Sequence, residues 1–153
     1  MHLQAEVIGC FDHPRDANAL LYTPLDDSLT TRHTRRYLVD FEGDATAALR
    51  FLTKVLADPV SHELRTGDAP ALPDYAFFLD YGMKAGALDH EKETILAHHH
   101  HTSAAAGFTI SSLKIQQRIY FLGTTGTGNH AYRFVKDIVN PAVHTWQVTA
   151  AVI

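Results

Sequence analysis

The chain matches itself. A shift of 82 residues places Arg36 on Arg118, Lys54 on Lys136, Leu56 on Ile138, Asp58-Pro59 on Asn140-Pro141 and His62 on His144 without a gap, and lays Tyr37 to Phe41 over Ile119 to Gly123. A shared strand pattern, helix pattern, Asp/Asn-Pro stop and Pro-x-x-His spacing constrains the fold more than any single motif, because whatever unit one copy forms, the other must form as well. The self-match predicts a tandem duplication of a β-α-β-α-β unit, with a shortened first helix in the first copy.

The second copy is the easier to read. Tyr75 to Leu122 runs as strand, acidic-edged loop, helix and strand. At its centre Lys84-Ala85-Gly86-Ala87-Leu88-Asp89-His90-Glu91 leaves the strand through a glycine and enters the helix at Asp89. An aspartate there can accept from the unpaired first-turn amides, and Glu91 and Glu93 lie well against the helix dipole. A further helix is predicted from His130 to Val139, with Ala131, Phe134, Val135 and Ile138 on one face. Asn140-Pro141 halts it, and Val143 to Val152 is the last strand, carrying the single tryptophan, Trp146.

In the first copy Leu3 to Phe11 alternates as a strand, with Ala5, Val7 and Gly9 on one face and Glu6, Ile8 and Cys10 on the other. Between Asp12 and Thr31, Pro14 and Pro24 leave room only for a short helix near Asp16 to Tyr22. Arg35 to Glu42 reads as a strand. Gly43 and Asp44 then supply the turn and cap of a helix with Ala45, Ala48, Leu49, Leu52, Val55 and Leu56 at helical spacing. Asp58-Pro59 stops that helix, and Val60 to Arg65 is extended. The segment 67–74, GDAPALPD, reads as a linker, so the predicted organisation is a first repeat at 1–66 and a second at 75–153. Repeats this short have marginal cores alone and are expected to pack on one another.

Composition narrows the function. A net charge of -4 gives no electrostatic reason to expect nucleic acid or an anionic membrane as a partner. No stretch approaches the roughly 20 apolar residues of a spanning helix, and Met1 to Glu6 has neither a basic nor an apolar leader pattern. A cytoplasmic protein is the expectation. Cys10, alone and among the apolar neighbours of EVIGCF, is expected to be a buried structural thiol.

Lys84, Gly86, Ala87, Asp89, Gly107-Phe108 and Ile138-Val139-Asn140-Pro141, with Val55-Leu56-Ala57-Asp58-Pro59-Val60 in the first copy, carry a resemblance. The pattern resembles PurS, the small subunit of phosphoribosylformylglycinamidine synthase, in which a strand, a Lys-x-Gly-Val-x-Asp-Pro-like turn, a helix ending near Gly-Phe, a strand and a helix closing on Leu-Leu-Ala-Asn-Pro-Val follow in order. The chain departs from it at His90, where proline is usual, at Gln116-Gln117, where Gly-Lys is common, and in the first copy, which lacks the turn. Two such units in one chain resemble the N-terminal domain of the large single-chain enzyme, itself similar to a fused PurS dimer. The resemblance implies an α+β fold, the tandem duplication of the β-α-β-α-β unit with antiparallel sheets forming a PurS-like pseudo-dimer, with no active site and no cofactor. It would bridge the synthetase and glutaminase of de novo purine biosynthesis, with Lys84, Gly86 and Asp89 as partner contacts and a homo-oligomer as a possible state.

Other constellations are weaker. His90-Glu91-Lys92-Glu93 begins like the helix of a zinc protease, but Thr94 stands where the second histidine is needed. His98 and His101 share a helix face, which leaves a small ferredoxin-like metal- or ligand-binding protein using His98 to His101 as the rival reading; a polar helix face is the ordinary one. Gly123-Thr124-Thr125-Gly126-Thr127-Gly128 could cradle a phosphate, yet it has neither the Walker lysine nor dinucleotide glycine spacing and reads as a loop. Asp26-Asp27 and Asp80 find no convincing acid-base partner in the sequence, and no catalytic residue or metal ligand is assigned. Arg32, His33, Arg35 and Arg36 form a basic run that could meet an acidic surface, although an exposed strand face is the commoner cause.

Overall fold

Two aspartates start helices where the sequence says they should. In the computed structural model, whose described residues are 1–24, 29–123 and 130–151, Asp44 accepts from the Thr46 N–H at 2.9 Å and opens α1 (Ala45–Leu56). Asp89 accepts from the Lys92 N–H at 3.1 Å and opens α2 (His90–Ala106). Each satisfies an amide that the first helical turn cannot pair. Gly107, at φ 79°, ends α2 in the left-handed conformation that glycine adopts without strain. A third helix, α3, is His130–Ile138.

The strands are β1 (His2–Gly9), β2 (Arg15–Asp16), β3 (Thr30–Gly43), β4 (His62–Thr66), β5 (Tyr75–Met83), β6 (Phe108–Leu122) and β7 (His144–Ala150). They form one antiparallel sheet in the order β4-β1-β3-β6-β5-β7, with β2 paired to β3. Among the described residues the protein is thus α+β, with a seven-stranded sheet and three helices. The short helix expected near Asp16 is a single 3-10 turn at Ala17–Leu20.

The chain forms two compact units, and each takes segments from both halves of the sequence. The first consists of Met1–Phe11, Arg35–Ala71 and Leu88–Ile115; the second of Asp12–Thr34, Leu72–Ala87 and Gln116–Ile153. This division differs from the one drawn by the repeats. β3 and β6 are long because each contributes one end to either unit.

In the first unit Tyr37, Val39 and Phe41 alternate along β3 and pack in one cluster with Ala48 and Leu52 of α1, Ile95 of α2, and Phe108, Leu113 and Ile115 of β6. Burying each of the larger side chains contributes about 1.5–3 kcal/mol. Gly43 ends β3 at φ 114°, and a Cβ there would lie 2.5 Å from the Gly107 carbonyl oxygen and 2.7 Å from the Phe108 Cα. The Asp44 N–H donates to that same Gly107 carbonyl at 3.1 Å, so the entry to α1 is held against the exit of α2.

In the second unit Phe77, Leu79, Ile119 and Phe121 pack with Phe134, Val135 and Val139. Phe77 and Phe121 stack with centroids 4.4 Å apart. The residues that alternate with them along β5 and β6 point the other way and are buried as well: Phe78, Asp80, Arg118 and Tyr120. The β5-β6 register sets Asp80 opposite Arg118 and Phe78 opposite Tyr120.

Backbone geometry recurs at the spacing of the self-match. The Asp58 N–H donates to His62 Nδ1 at 3.1 Å and the Asn140 N–H to His144 Nδ1 at 3.1 Å. The His62 N–H returns to the Asp58 carbonyl at 2.8 Å, as the His144 N–H does to that of Asn140 at 2.8 Å. Asp58 Oδ1 caps the Val60 N–H and Asn140 Oδ1 the Ala142 N–H. After each turn the next strand pairs alike, His62 with Gly9 and His144 with Met83.

Cys10 corrects an expectation. The thiol is exposed rather than buried. β1 ends at Gly9, so Cys10 lies beyond the last alternating position, and its N–H donates to the Ser61 carbonyl at 2.7 Å.

Candidate functional site

The motif turn leaves β5 through a fixed backbone. The Lys84 N–H donates to the Val143 carbonyl at 2.8 Å, and the Ala87 N–H closes a turn on the Lys84 carbonyl at 3.0 Å. Gly86 is the third residue of that turn at φ 86°, the place where a type II turn calls for glycine. A Cβ on Gly86 would meet nothing within 4 Å, so its surface is open to a partner. Lys84 is exposed and Asp89 half-buried. Lys84 and Gly86 belong to the second unit and Asp89 to the first, where its carboxylate is engaged in capping.

The histidine run does not behave as a set. His98 is exposed and stacks on Phe51, with ring centroids 5.8 Å apart and planes 20° from parallel. His99 turns inward, its Nε2 accepting from the Ile110 N–H at 3.3 Å and its ring 4.6 Å from that of Phe108. Burial, and secondarily His100, hold the His99 imidazole below its ordinary pKa. His100 and His101 are exposed. Among the described residues no three His, Cys, Asp or Glu side chains come together to hold a metal ion. The packed role of His99 was missed in the sequence, although Ile95 and His99, four residues apart, are a core-facing pair at helical spacing.

Asp80 proves to be a structural carboxylate. Arg118 Nε and Nη2 donate to its two oxygens at 2.6 and 2.8 Å, Nη1 donates to the Tyr120 hydroxyl at 3.2 Å, and the guanidinium lies 4.1 Å from the Phe78 ring centre. Asp26-Asp27 and residues 124–128 of the glycine-threonine segment lie outside the described residues.

The basic run divides. Arg35 Nη1 and the Tyr37 hydroxyl both donate to Glu91 Oε1, at 3.2 and 2.6 Å, which ties the first turn of α2 to β3. Burial and the Glu91 carboxylate push the Tyr37 phenol far above its ordinary pKa, so it stays a donor. Arg36 donates to Gln4 Oε1. Arg32 and His33 instead line a cleft of about 190 Å³ with Asp12, His13, Arg15 and Thr31, all in the second unit. Burial and then the Arg15 guanidinium hold His33 below its ordinary pKa, with Asp12 opposing them. Sequence spacing gave no sign that Arg15 would join Arg32, because the two meet only through the β2-β3 pairing.

No helix among the described residues is long and apolar enough to cross a membrane. No protein-family model matches the chain, and no curated protein matches it.

Proposed function

We propose that the chain is a non-catalytic bridging component of phosphoribosylformylglycinamidine synthase, built as a tandem pair of PurS-like repeats and working in the cytoplasm. The observation that carries this reading is the recurrence, 82 residues apart, of the whole helix-stop geometry: the Asp58 and Asn140 caps, the His62 and His144 acceptors and the strand pairing that follows. Such recurrence in turn chemistry is what a duplicated unit leaves behind. The resemblance of Lys84, Gly86 and Asp89 to the PurS turn supports the same family, and the open face at Gly86 suits a contact.

A bridge has a physical task in this reaction. Ammonia released into water at neutral pH is protonated and loses its nucleophilicity, so a glutaminase and a synthetase must be held in register around an enclosed path. A spacer with no chemistry of its own supplies that register.

The test is amidation of phosphoribosylformylglycinamide by the matching synthetase and glutaminase, with and without the chain. Glutamine-dependent activity should require the chain, while ammonia-dependent activity should be indifferent to it. If neither rate changes and no complex forms, the reading fails.

A further inference from the structure

We propose that the cleft lined by Asp12, His13, Arg15, Thr31, Arg32 and His33 binds a compact oxyanion of the phosphate-monoester class. The proposal is independent of the bridging role. At about 190 Å³ the cleft has room for a phosphate and the first atoms esterified to it.

Its charge runs against that of the chain. The protein carries a net -4 with its histidines neutral, yet on the same count the described lining of the cleft sets two guanidiniums against one carboxylate, that of Asp12. Arginine suits this ligand, because its planar fork donates two parallel hydrogen bonds to a phosphate and keeps its charge at every accessible pH. His13 and His33 can each add a ring N–H donor. Partial burial and then the Arg15 guanidinium hold His33 below its ordinary pKa, with Asp12 opposing them. A bound anion would offset that repulsion.

The cleft is also built in advance. Arg15 pairs with Thr31 across β2 and β3, and the Thr31 hydroxyl donates to the Arg15 carbonyl at 3.5 Å. The neighbouring Asp16 caps the 3-10 turn by accepting from the Asn18 N–H at 3.0 Å, and the Ala17 N–H donates to the Leu29 carbonyl at 3.0 Å. The backbone under Arg15 is therefore held from both sides, which lowers the entropy lost when an anion binds.

The experiment is equilibrium dialysis of the full chain against radiolabelled inorganic phosphate, with chloride setting a constant ionic strength. Saturable binding of one phosphate per chain is expected. Arg15→Gln should weaken it by about tenfold or more, the loss of one charge-assisted contact, while Arg50→Gln on α1 should leave it unchanged. Arg15 is exposed, so its substitution spares the core. His33→Gln, also at an exposed position, serves as a second variant and should weaken phosphate binding in the same direction. Binding that does not saturate, or that survives both cleft substitutions undiminished, overturns the proposal.

Discussion

Arg118 grips both carboxylate oxygens of Asp80, through Nε at 2.6 Å and Nη2 at 2.8 Å, with side chains only 3% and 8% exposed. Removing one partner of such a pair strands the other charge away from water, which costs about 3–5 kcal/mol, whereas replacing both with apolar groups can be close to neutral. Asp80→Ala should therefore lower the urea midpoint sharply, and the double variant Asp80→Leu, Arg118→Met should recover most of the loss. A single variant no weaker than an ordinary surface change, about 0.5 kcal/mol, would show that the pair does not hold β5 to β6.

Gly43 and Gly67 separate two costs that glycine usually hides together. Both have positive φ, 114° and 106°, but a Cβ at Gly67 meets nothing within 4 Å while at Gly43 it strikes the backbone of Gly107 and Phe108. Gly67→Ala should cost about 1–2 kcal/mol for the left-handed conformation alone. Gly43→Ala should cost clearly more, since neither backbone atom can swing aside as a side chain would. Thermal unfolding of the two variants side by side measures the difference.

His99 should make the first unit acid-sensitive. Its folded pKa lies below the ordinary 6.5 because burial disfavours the imidazolium. Between the two values the unfolded chain binds more protons, so stability is full above about pH 6.5 and is lost as the pH falls towards the folded pKa. His99→Gln keeps an acceptor for the Ile110 N–H and removes the titration. The slope of stability with pH between about 6.5 and 5, a range where carboxylates are still mostly ionised, should flatten in that variant. His33 shifts in the same direction, and Asp12 partly opposes its shift. An unchanged slope in His99→Gln would assign the effect to other groups.

Lys84 and Asp89 should part company under substitution. Asp89→Ala removes a helix cap and should cost about 0.5–2 kcal/mol, visible as faster amide exchange in the first turn of α2. Lys84→Ala should leave stability within about 0.5 kcal/mol, because Lys84 is exposed and the bond that fixes it comes from its backbone N–H. Any fall in glutamine-dependent amidation with Lys84→Ala would then report a lost contact with a partner and not a lost fold.

Local chemistry was legible and long-range pairing was not. Asp44 and Asp89 announce helix starts because an N-cap is a matter of a few neighbouring residues, and Asp58-Pro59 and Asn140-Pro141 announce helix ends for the same reason. The extension of β3 back to Thr30 was invisible, since it depends on a two-residue pairing with Arg15 and Asp16. Four consecutive histidines hide which one faces inward; packing against Phe51 and Phe108 decides that it is His99. Cys10 misled because an apolar neighbourhood in sequence says nothing of where a strand stops. The anion cleft combines residues that read separately as a turn and a strand.

The way the two units share the chain sets a timetable for its birth on the ribosome. The first unit requires residues up to Ile115, and the second begins at Asp12 and draws on β7. A protein made of successive domains could finish its first before its second is translated. Here the chain must emerge as far as Ile115 before either unit has all of its segments. Until then Tyr37, Val39 and Phe41 have no β6 or α2 to cover them, which makes the nascent segment a natural client for a chaperone.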